Sequence, residues 1–418
     1  MLKFGYASAD ITPIRPMALM GFANPKLAQG VESPLTAQVS LWEKENARCI
    51  LACVDHIGFA MEHARALRQK LAAEWETSPE QVMLCFSHTH AAPNDSIEAD
   101  YAREVDGQML QAARRARENM RPALAGWGCG RVEIGVNRRF GEALDDRAGL
   151  IKVTDAETGA PLGAILRLTA HGNSLKSDNR RYSPDWLGAA RRLLTKEWGC
   201  PVLLTQGASG NVAPRYFASH IDPPDADDSG RYVRTEAALE EMARAVLRGT
   251  DAAFRGTRPR EVTYLSMKTV AGSLWADVPG RERALEIARE AKEKAGIDGT
   301  RWLAEVDRLQ KAGIACQREQ VEMQFFRLNE GALIGVPNEI MCEMALEVEK
   351  QVGEKAFLGG YTNGCSGYLP TAREYDRGGY EVFWSMLEYF PYFGRVMPLR
   401  RESAEEMVQM ALRGLEKA

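Results

Sequence analysis

The sequence lacks the features that place a protein in a membrane or on nucleic acid. Across its 418 residues, no apolar run approaches the ~20 residues that a membrane-spanning helix requires. The N-terminal residues show neither the basic nor the apolar region of a secretory signal. The formal net charge of −4 gives no general attraction for polyanions or anionic membranes. We therefore expect a cytoplasmic protein that takes a small-molecule substrate, with no nucleic-acid partner and no stable membrane anchoring.

Paired cysteines are also missing. The eight cysteines are scattered along the chain, and none belongs to a Cys-x-x-Cys pair. Several lie inside apolar runs, which indicates buried free thiols rather than disulfides or a redox motif. Cys365 is a candidate nucleophile if a histidine lies nearby, although a buried free thiol is the more common state of such a residue. The sequence leaves the oligomeric state open.

Apolar strand patterns alternate with amphipathic helices, and this alternation predicts an α/β fold with a mixed β-sheet core and surrounding helices. The predicted strands are residues 50–54, 82–86, 164–169, 202–205, 262–267, 321–328 and 332–336. The predicted helices are residues 62–75, 97–119, 186–196 and 234–248, and Ser78, Pro79 and Gln81 predict a capping box on a short helical turn. The charged segment 280–313 predicts a helical hairpin inserted in one domain that spans residues 1–418.

Polar residues gather where five of the strand-like runs end. The chain has only six histidines, and His88 and His90 follow the run 82–86 two positions apart. Residues at i and i+2 share one face of a strand, so both imidazoles can address the same point. Ligand sites form where loops leave the carboxyl ends of strands. We therefore expect one composite site from the residues that follow these runs, which are His88 and His90, His171, residues 206–211, residues 337–339 and residues 361–368.

One interpretation of this site is that it binds a metal ion. Zinc is commonly held by three or four nitrogen, oxygen or sulfur ligands. His88, His90, His171 and Glu339 are sufficient candidates, but none lies in a tight metal-binding motif. Composition alone would not select Glu339 from 57 acidic residues. A lone histidine at a strand end is more often a structural hydrogen-bonding group than a ligand.

A set of short motifs follows one order along nearly the whole chain. These are Asp10-Ile11-Thr12-Pro13, Met20-Gly21-Phe22, Pro34-Leu35-Thr36-Ala37, Ser87-His88-Thr89-His90, Asn137-Arg138, His171, Ser183-Pro184-Asp185, Gln206-Gly207, Pro337-Asn338-Glu339, Tyr368-Leu369-Pro370-Thr371, Glu374-Tyr375 and Tyr380-Glu381. The ordered set resembles the catalytic domain of the neutral (alkaline-type, non-lysosomal) ceramidase family. The resemblance does not extend to that family's C-terminal β-sandwich domain.

The resemblance implies a role for each matching residue. It implies one zinc ion per chain, bound by His88, His171, Glu339 and Tyr368. It also implies catalytic positions for His90, Asp185, Arg138 and Tyr380, and substrate-binding positions for Asn137 and Asn211. Without the resemblance, Tyr368 reads as a half-buried loop aromatic, Arg138 as half of a surface salt bridge and Asp185 as a helix cap.

One segment departs from the family pattern. Where the family has Gly-Asp-x-Ser-Pro-Asn, this chain has Gly210-Asn211-Val212-Ala213-Pro214-Arg215. The missing serine excludes a serine nucleophile at that position and leaves zinc-activated water. The sequence therefore predicts a zinc-dependent hydrolase that cleaves an amide bond of a small or amphiphilic substrate. The alternatives are an ester or lactone hydrolase on the same site and a non-catalytic binding protein that keeps the metal pocket.

Overall fold

The computed structural model describes residues 1–22, 25–139, 141, 143–216 and 235–416. Its α-helices, within that range, are α1 (Met61–Glu74), α2 (Ala99–Glu118), α3 (Asp185–Trp198), α4 (Glu236–Gly256), α5 (Arg281–Ala295), α6 (Thr300–Lys311), α7 (Cys342–Val352), α8 (Ala372–Arg377), α9 (Ser385–Phe393) and α10 (Ser403–Glu416). A 3-10 turn covers Pro79–Gln81 and a π-helical turn covers Tyr380–Trp384. Among these described helices, none combines the length and apolarity that crossing a bilayer demands.

The described strands form two main sheets and three short pairs. They are β1 (Leu2–Asp10), β2 (Gly30–Val31), β3 (Thr36–Lys44), β4 (Ala47–Val54), β5 (Val82–Phe86), β6 (Arg121–Arg131), β7 (Gly135–Asn137), β8 (Arg147–Asp155), β9 (Pro161–Leu168), β10 (Arg181–Tyr182), β11 (Val202–Gln206), β12 (Val212–Pro214), β13 (Leu265–Asp277), β14 (Cys316–Leu328), β15 (Gly331–Gly335), β16 (Glu339–Ile340), β17 (Ala356–Gly359) and β18 (Tyr368–Leu369). The larger sheet has the order β11-β9-β8-β6-β1-β3-β4-β5, and the smaller has the order β13-β14-β15-β17. Both mix parallel and antiparallel pairs, which confirms the mixed α/β fold.

The core lies in layers above, between and below the two sheets. Side chains such as Trp42, Trp127 and Phe326 fill the space between the sheets. Helices α1 and α2 cover one part of the larger sheet, and α3 and α4 cover another. Helices α5 to α7, α9 and α10 pack on the smaller sheet. Burying both faces of each sheet provides the main stabilisation of a fold of this size.

The predicted helical hairpin is present as α5 and α6. Trp302 of α6 is fully buried, and its indole nitrogen donates to Val396 O at 2.6 Å. Ile287 of α5 belongs to the same apolar cluster as Phe383 and Leu387, which lie in the π-helical turn and in α9. The hairpin therefore supports the segment that carries the predicted site residue Tyr380.

Several sequence-based expectations were incomplete or wrong. The strand at residues 82–86 is confirmed with its bounds as β5. The capping box is wrong, because the Ser78 side chain makes no cap hydrogen bond to the turn. Of the run 262–267 only residues 265–267 belong to a strand, β13, and the run 321–328 is only the last part of β14; the two form an antiparallel pair of 13-residue strands. The helix predicted from residue 234 begins at Glu236, and residue 234 itself lies outside the described residues.

The two edges of the larger sheet approach each other at one end. β5 and β11 are its outermost strands, yet Gln206 Nε2 donates to Ser87 O at 2.9 Å and to Ala170 O at 2.7 Å. Beside them, His90 N donates to Gly172 O at 3.0 Å. The sheet is therefore curled, and the loops that leave β5, β9 and β11 meet.

His63 on α1 is held between two carboxylates. Its Nδ1 lies 2.8 Å from Asp95 Oδ2, and its Nε2 lies 2.9 Å from Asp106 Oδ1. Lys70 donates to the other oxygen of Asp106 at 2.6 Å. Burial alone would lower the pKa of His63, but the two carboxylates outweigh it and raise the pKa to about 9. The imidazolium therefore fastens the loop that carries Asp95 to α1 and α2.

We expect this contact to weaken at alkaline pH. A group whose pKa is raised on folding stabilises fully below its unfolded pKa of about 6.5. That contribution is lost as the pH rises through about 9. In urea unfolding, the free energy of unfolding of the wild type should exceed that of His63→Gln most near pH 6, and this difference should shrink towards pH 10. A difference that stays constant over this range would show that the imidazolium charge contributes nothing.

Candidate metal centre

Three histidines from the strand ends lie together. His88 and His90 follow β5, and His171 follows β9. His88 has a φ of +55°, a left-handed conformation that turns the chain sharply after the strand. One ligand atom from each of the three rings lies within 4.8 Å of the others. This spacing lets the three side chains hold a single metal ion.

Hydrogen bonds fix which nitrogen two of the rings present. His88 Nδ1 donates to Ile57 O at 2.6 Å, and His171 Nδ1 donates to Ser209 O at 2.7 Å. Because a carbonyl oxygen only accepts, Nδ1 carries a proton in both rings. The Nε2 atoms of His88 and His171 lie 3.3 and 3.4 Å from Glu339 Oε2. A backbone partner on one nitrogen and a free lone pair on the other is the usual arrangement of a metal-binding histidine.

Burial and neighbouring charges set the protonation states. Burial, together with His88 and His171, lowers the pKa of His90 well below its ordinary value. Burial and then Arg138 lower the pKa of His171 to about 3. Burial acts in the opposite direction on Glu339, but His88 and His171 outweigh it and hold the pKa of that carboxyl well below its usual range. Neutral imidazoles and an ionised carboxylate are the forms that ligate metals.

Tyr368 lies beside Glu339 in the fold. Parallel pairing of β16 with β18 places the two residues opposite each other. The Tyr368 ring is nearly parallel to that of His171, with 6.4 Å between the ring centres. Arg138 Nη2 donates to Tyr368 OH at 3.1 Å. Burial, and then Glu339, raise the pKa of the Tyr368 phenol, so it would join a metal site only where the cation removes its proton.

The donor set fits zinc. Both ring nitrogens of His90 are buried and have no hydrogen-bond partner among the described residues. Burying a polar group without a partner destabilises the fold, so an ion or a ligand that contacts His90 would supply the missing interaction. Imidazole nitrogens, a carboxylate oxygen and a phenol oxygen are donors that zinc accepts or that a bound cation can ionise.

An aromatic pocket opens onto the histidines. His88, His90, Glu339 and Tyr368 are among its lining residues. Apolar and aromatic side chains make up most of the remaining wall, and these are Met20, Ile57, Phe59, Tyr380, Tyr389, Tyr392 and Phe393. Asn94, Asp95 and Ser96 add a polar edge. A pocket of this kind binds an apolar group beside a few polar contacts.

Asp185 occupies a different position from the catalytic one expected. Its carboxylate accepts hydrogen bonds from the backbone nitrogens of Ser174, Leu175 and Trp186 at 3.0, 2.9 and 2.8 Å. The residue is buried, and it does not line the pocket of the described residues. We therefore assign Asp185 a structural role at the start of α3, which is close to the helix-capping alternative.

The two predicted substrate-binding asparagines are likewise engaged in holding the backbone. Asn211 Oδ1 accepts from Cys342 N at 2.9 Å and its Nδ2 donates to Glu343 Oε2 at 2.8 Å, so it secures the start of α7. Asn137 donates to Ala143 O and accepts from Arg139 N, both at 2.9 Å. Neither residue is among the described residues that line the pocket. Their contact with substrate stays a prediction, and the role that the structure gives them is to hold the backbone.

Arg138 and Ala213 lie close to the centre without lining the pocket. Arg138 Nη2 is 3.5 Å from His171 Nε2 and donates to Gly210 O at 2.8 Å. Its side chain is only 10% exposed, which excludes the surface salt-bridge alternative. Ala213 is fully buried in β12, where it pairs with Val136 of β7.

Tyr361 belongs to the run 361–368 that the sequence placed in the composite site, but no role was predicted for it. It is fully buried, and its ring centre lies 4.2 Å from that of His88. Its hydroxyl donates to Glu339 Oε2 at 3.4 Å and accepts from Ser209 Oγ at 3.1 Å. Its place in the same run of strand-end residues as Tyr368 was the signal that included it in the site.

Cys365 also lines the pocket, with Sγ 4.0 Å from Glu339 Oε1. Burial, and then Glu339, raise the pKa of the Cys365 thiol. A thiol nucleophile needs a lowered pKa, so the surroundings of Cys365 disfavour its role as a nucleophile.

No family model matches the sequence, and no curated protein matches it. Solved structures with a similar fold include the crystal structure of neutral ceramidase from Pseudomonas aeruginosa, with a TM-score of 0.69, 17% identity and coverage of 100% of this chain and 75% of that chain. A structure of a ceramidase complexed with C2 has a TM-score of 0.71, 17% identity and the same coverage of 100% and 75%. The resemblance drawn from the short motifs is thus confirmed at the level of architecture: the chain has the neutral ceramidase fold.

Proposed function

We propose that this chain is a zinc-dependent hydrolase that cleaves an amide (C–N) bond in a small amphiphilic substrate with water as the nucleophile. The observation that carries the proposal is the meeting of three histidines and Glu339 beside an aromatic pocket that His88, His90 and Glu339 line. The neutral ceramidase fold supports it, since amide hydrolysis is the reaction that the resemblance implies.

His88, His171, Glu339 and Tyr368 would hold one zinc ion per chain. When bound, zinc lowers the pKa of water towards ~7 and polarises a substrate carbonyl. The protein's own part is orientation, because carbonyl oxygens fix the rings of His88 and His171 and the Tyr361 hydroxyl steadies Glu339. Ala213 offers no hydroxyl, so no acyl group is transferred to that position.

His90 is the group that we propose moves the proton. It lines the pocket, and neither of its nitrogens is engaged elsewhere. An imidazole in this position can accept a proton from water and return it to the leaving nitrogen. Gly21, with φ +115°, packs directly against the ring, and a Cβ there would lie 2.4 Å from His90 Nδ1. Only glycine leaves room for the imidazole at this point.

Tyr380 and the aromatic wall would place the substrate. Burial raises the pKa of the Tyr380 phenol, so the hydroxyl keeps its proton and can donate a hydrogen bond to a substrate oxygen. Phe59, Tyr389 and Phe393 would pack against an apolar portion. The polar edge at Asn94 and Ser96 would face the polar portion of the molecule. An amphiphilic amide satisfies both surfaces.

A non-catalytic binding protein is the second candidate. The observation that favours it is Ala213, because the methyl group cannot supply the contact that the family's serine would make. Such a protein would bind zinc and an amphiphile in the same pocket without turnover.

We expect hydrolysis in a panel of N-acyl amides of graded acyl length, loss of that activity on chelation, and its return when zinc is added. Esters with matched acyl groups serve as the control panel, because metal-assisted attack by water also cleaves esters. Turnover of esters alone would make the amide assignment wrong while keeping a metal hydrolase. Ligand binding without turnover of either panel would contradict the proposal and favour the binding protein.

A further inference from the structure

Two adjacent arginines share a single carboxylate behind the metal centre. Arg138 Nε lies 3.1 Å from Glu381 Oε1, and Arg139 Nη1 donates to Glu381 Oε2 at 2.9 Å. The three side chains are only 10%, 12% and 11% exposed. Ion pairs with so little contact with solvent hold a defined geometry, because leaving either partner alone would bury an unpaired charge.

Arg139 is anchored independently of Arg138. Its Nε donates to Glu374 Oε2 at 2.7 Å and its Nη2 donates to Gly378 O at 2.7 Å. Arg377 donates to the other oxygen of Glu374, also at 2.7 Å. The far oxygen of Glu381 is therefore held by a guanidinium that is itself fixed to α8 and the turn after it.

The opposite end of Arg138 reaches the centre. Its Nη2 donates to Gly210 O at 2.8 Å and to Tyr368 OH at 3.1 Å. The guanidinium thus connects Glu381 on one side with a proposed zinc ligand on the other. A shift of Glu381 would move the donor that faces Tyr368.

Glu381 also belongs to the element that carries Tyr380. Both residues lie in the π-helical turn Tyr380–Trp384, and π-helical turns occur often at functional sites. Gly378 and Gly379, which precede it, have φ values of +64° and +87°. The turn enters from a left-handed backbone that a larger residue would strain, so its position depends on local contacts such as those of Glu381.

We propose that Glu381 is a positioning residue. It sets the Arg138 guanidinium against Tyr368, and it holds Tyr380 in place through the turn that the two residues share. It acts through these groups and does not contact the substrate itself. The inference rests on the proposed function only for its kinetic consequence, since the geometry it describes does not require a substrate.

A carboxylate is needed at this position for a chemical reason. Ionised glutamate presents one charged oxygen to each arginine, as a hydrogen-bond acceptor for Arg139 and as an ion-pair partner for Arg138. In Glu381→Gln, one of these oxygens becomes an NH2 group that faces a guanidinium donor. The variant has nearly the same volume, yet it can satisfy only one arginine. Arg139 keeps Glu374 and Gly378 O, whereas the Nε of Arg138 has no hydrogen-bond partner among the described residues to replace Glu381, so Arg138 is the side chain expected to move.

The direct experiment is a crystal structure of Glu381→Gln, with Glu374→Gln as the matched control. Glu374→Gln removes a carboxylate from the same network but does not touch Arg138. We expect Arg138 to leave hydrogen-bond distance of Tyr368 OH in Glu381→Gln and to keep it in Glu374→Gln. An Arg138 that stays within hydrogen-bond distance of Tyr368 in Glu381→Gln would overturn the inference, whether or not any amide is hydrolysed.

A kinetic cycle separates positioning from general support of the fold. Glu381→Gln should lower kcat about 10-fold to 100-fold with little change in KM and in zinc content, as is usual for groups that orient a metal site from outside its ligands. In an Arg138→Met background the same change should have a much smaller effect, because only the route through the shared turn to Tyr380 remains. Full additivity of the two losses would contradict the inference. Absence of amide turnover in the wild type would instead contradict the proposed function, and the crystal structures would still decide the role of Glu381.

Discussion

Replacing His171 by alanine is expected to remove bound zinc and amide hydrolysis together. His171 is fully buried, and its Nε2 lies 3.4 Å from Glu339 Oε2. Its Nδ1 is committed to Ser209 O, so this ring has only one orientation towards the centre. In the alanine variant only three of the four proposed ligands remain, which are His88, Glu339 and Tyr368, so zinc should be held much more weakly. Metal content should fall from about one zinc per chain to near zero.

The measurement is zinc by elemental analysis on the folded variants His88→Ala, His171→Ala and Glu339→Ala. His63→Gln is the matched control, because it changes a histidine that lies outside the cluster. The control should keep its zinc and its turnover near neutral pH. Full zinc occupancy in all three ligand variants would end the assignment of the centre.

The second large effect is expected from His90→Ala, in which turnover should fall by about 10²- to 10⁴-fold while zinc is retained. A positioned general acid or base usually raises the rate by this factor. The proposed ligands His88, His171, Glu339 and Tyr368 remain in this variant. The pocket keeps its aromatic wall, so substrate binding should change much less than kcat.

Zinc content and kinetics must be measured on the same preparation of His90→Ala. Wild-type turnover with zinc retained would remove His90 from the mechanism. Loss of zinc would make His90 a ligand, an outcome that the mutual spacing of the three histidine ligand atoms also permits. His90→Gln provides a conservative comparison, since it keeps a polar side chain but cannot shuttle a proton at neutral pH.

Strands that a local run of apolar residues marks could be predicted from the sequence. β5 is a continuous apolar run, and the structure gives it the predicted bounds. The long antiparallel pair β13–β14 was found only in part, because its outer portion is largely exposed or half-buried and carries no continuous apolar run. The ordered motifs led to the fold, although no single motif was specific.

The site was harder to predict because its contacts join distant parts of the chain. Glu339 meets His88 and His171 only after the strands fold together, and nothing local distinguishes it from other acidic residues. Tyr361 gave no signal beyond its place at a strand end. Asp185 matched a motif, but the motif could not reveal that three backbone nitrogens occupy its carboxylate.

The central claim is that this chain hydrolyses amides with a zinc ion held by the strand-end residues. The most direct test is to titrate the purified protein with a chelator while recording zinc content and N-acyl amide hydrolysis in the same samples. We predict that hydrolysis falls in proportion to the zinc removed and returns when zinc is restored. Undiminished hydrolysis by protein shown to be free of metal, or an acyl group trapped covalently on the chain during turnover, would contradict the claim.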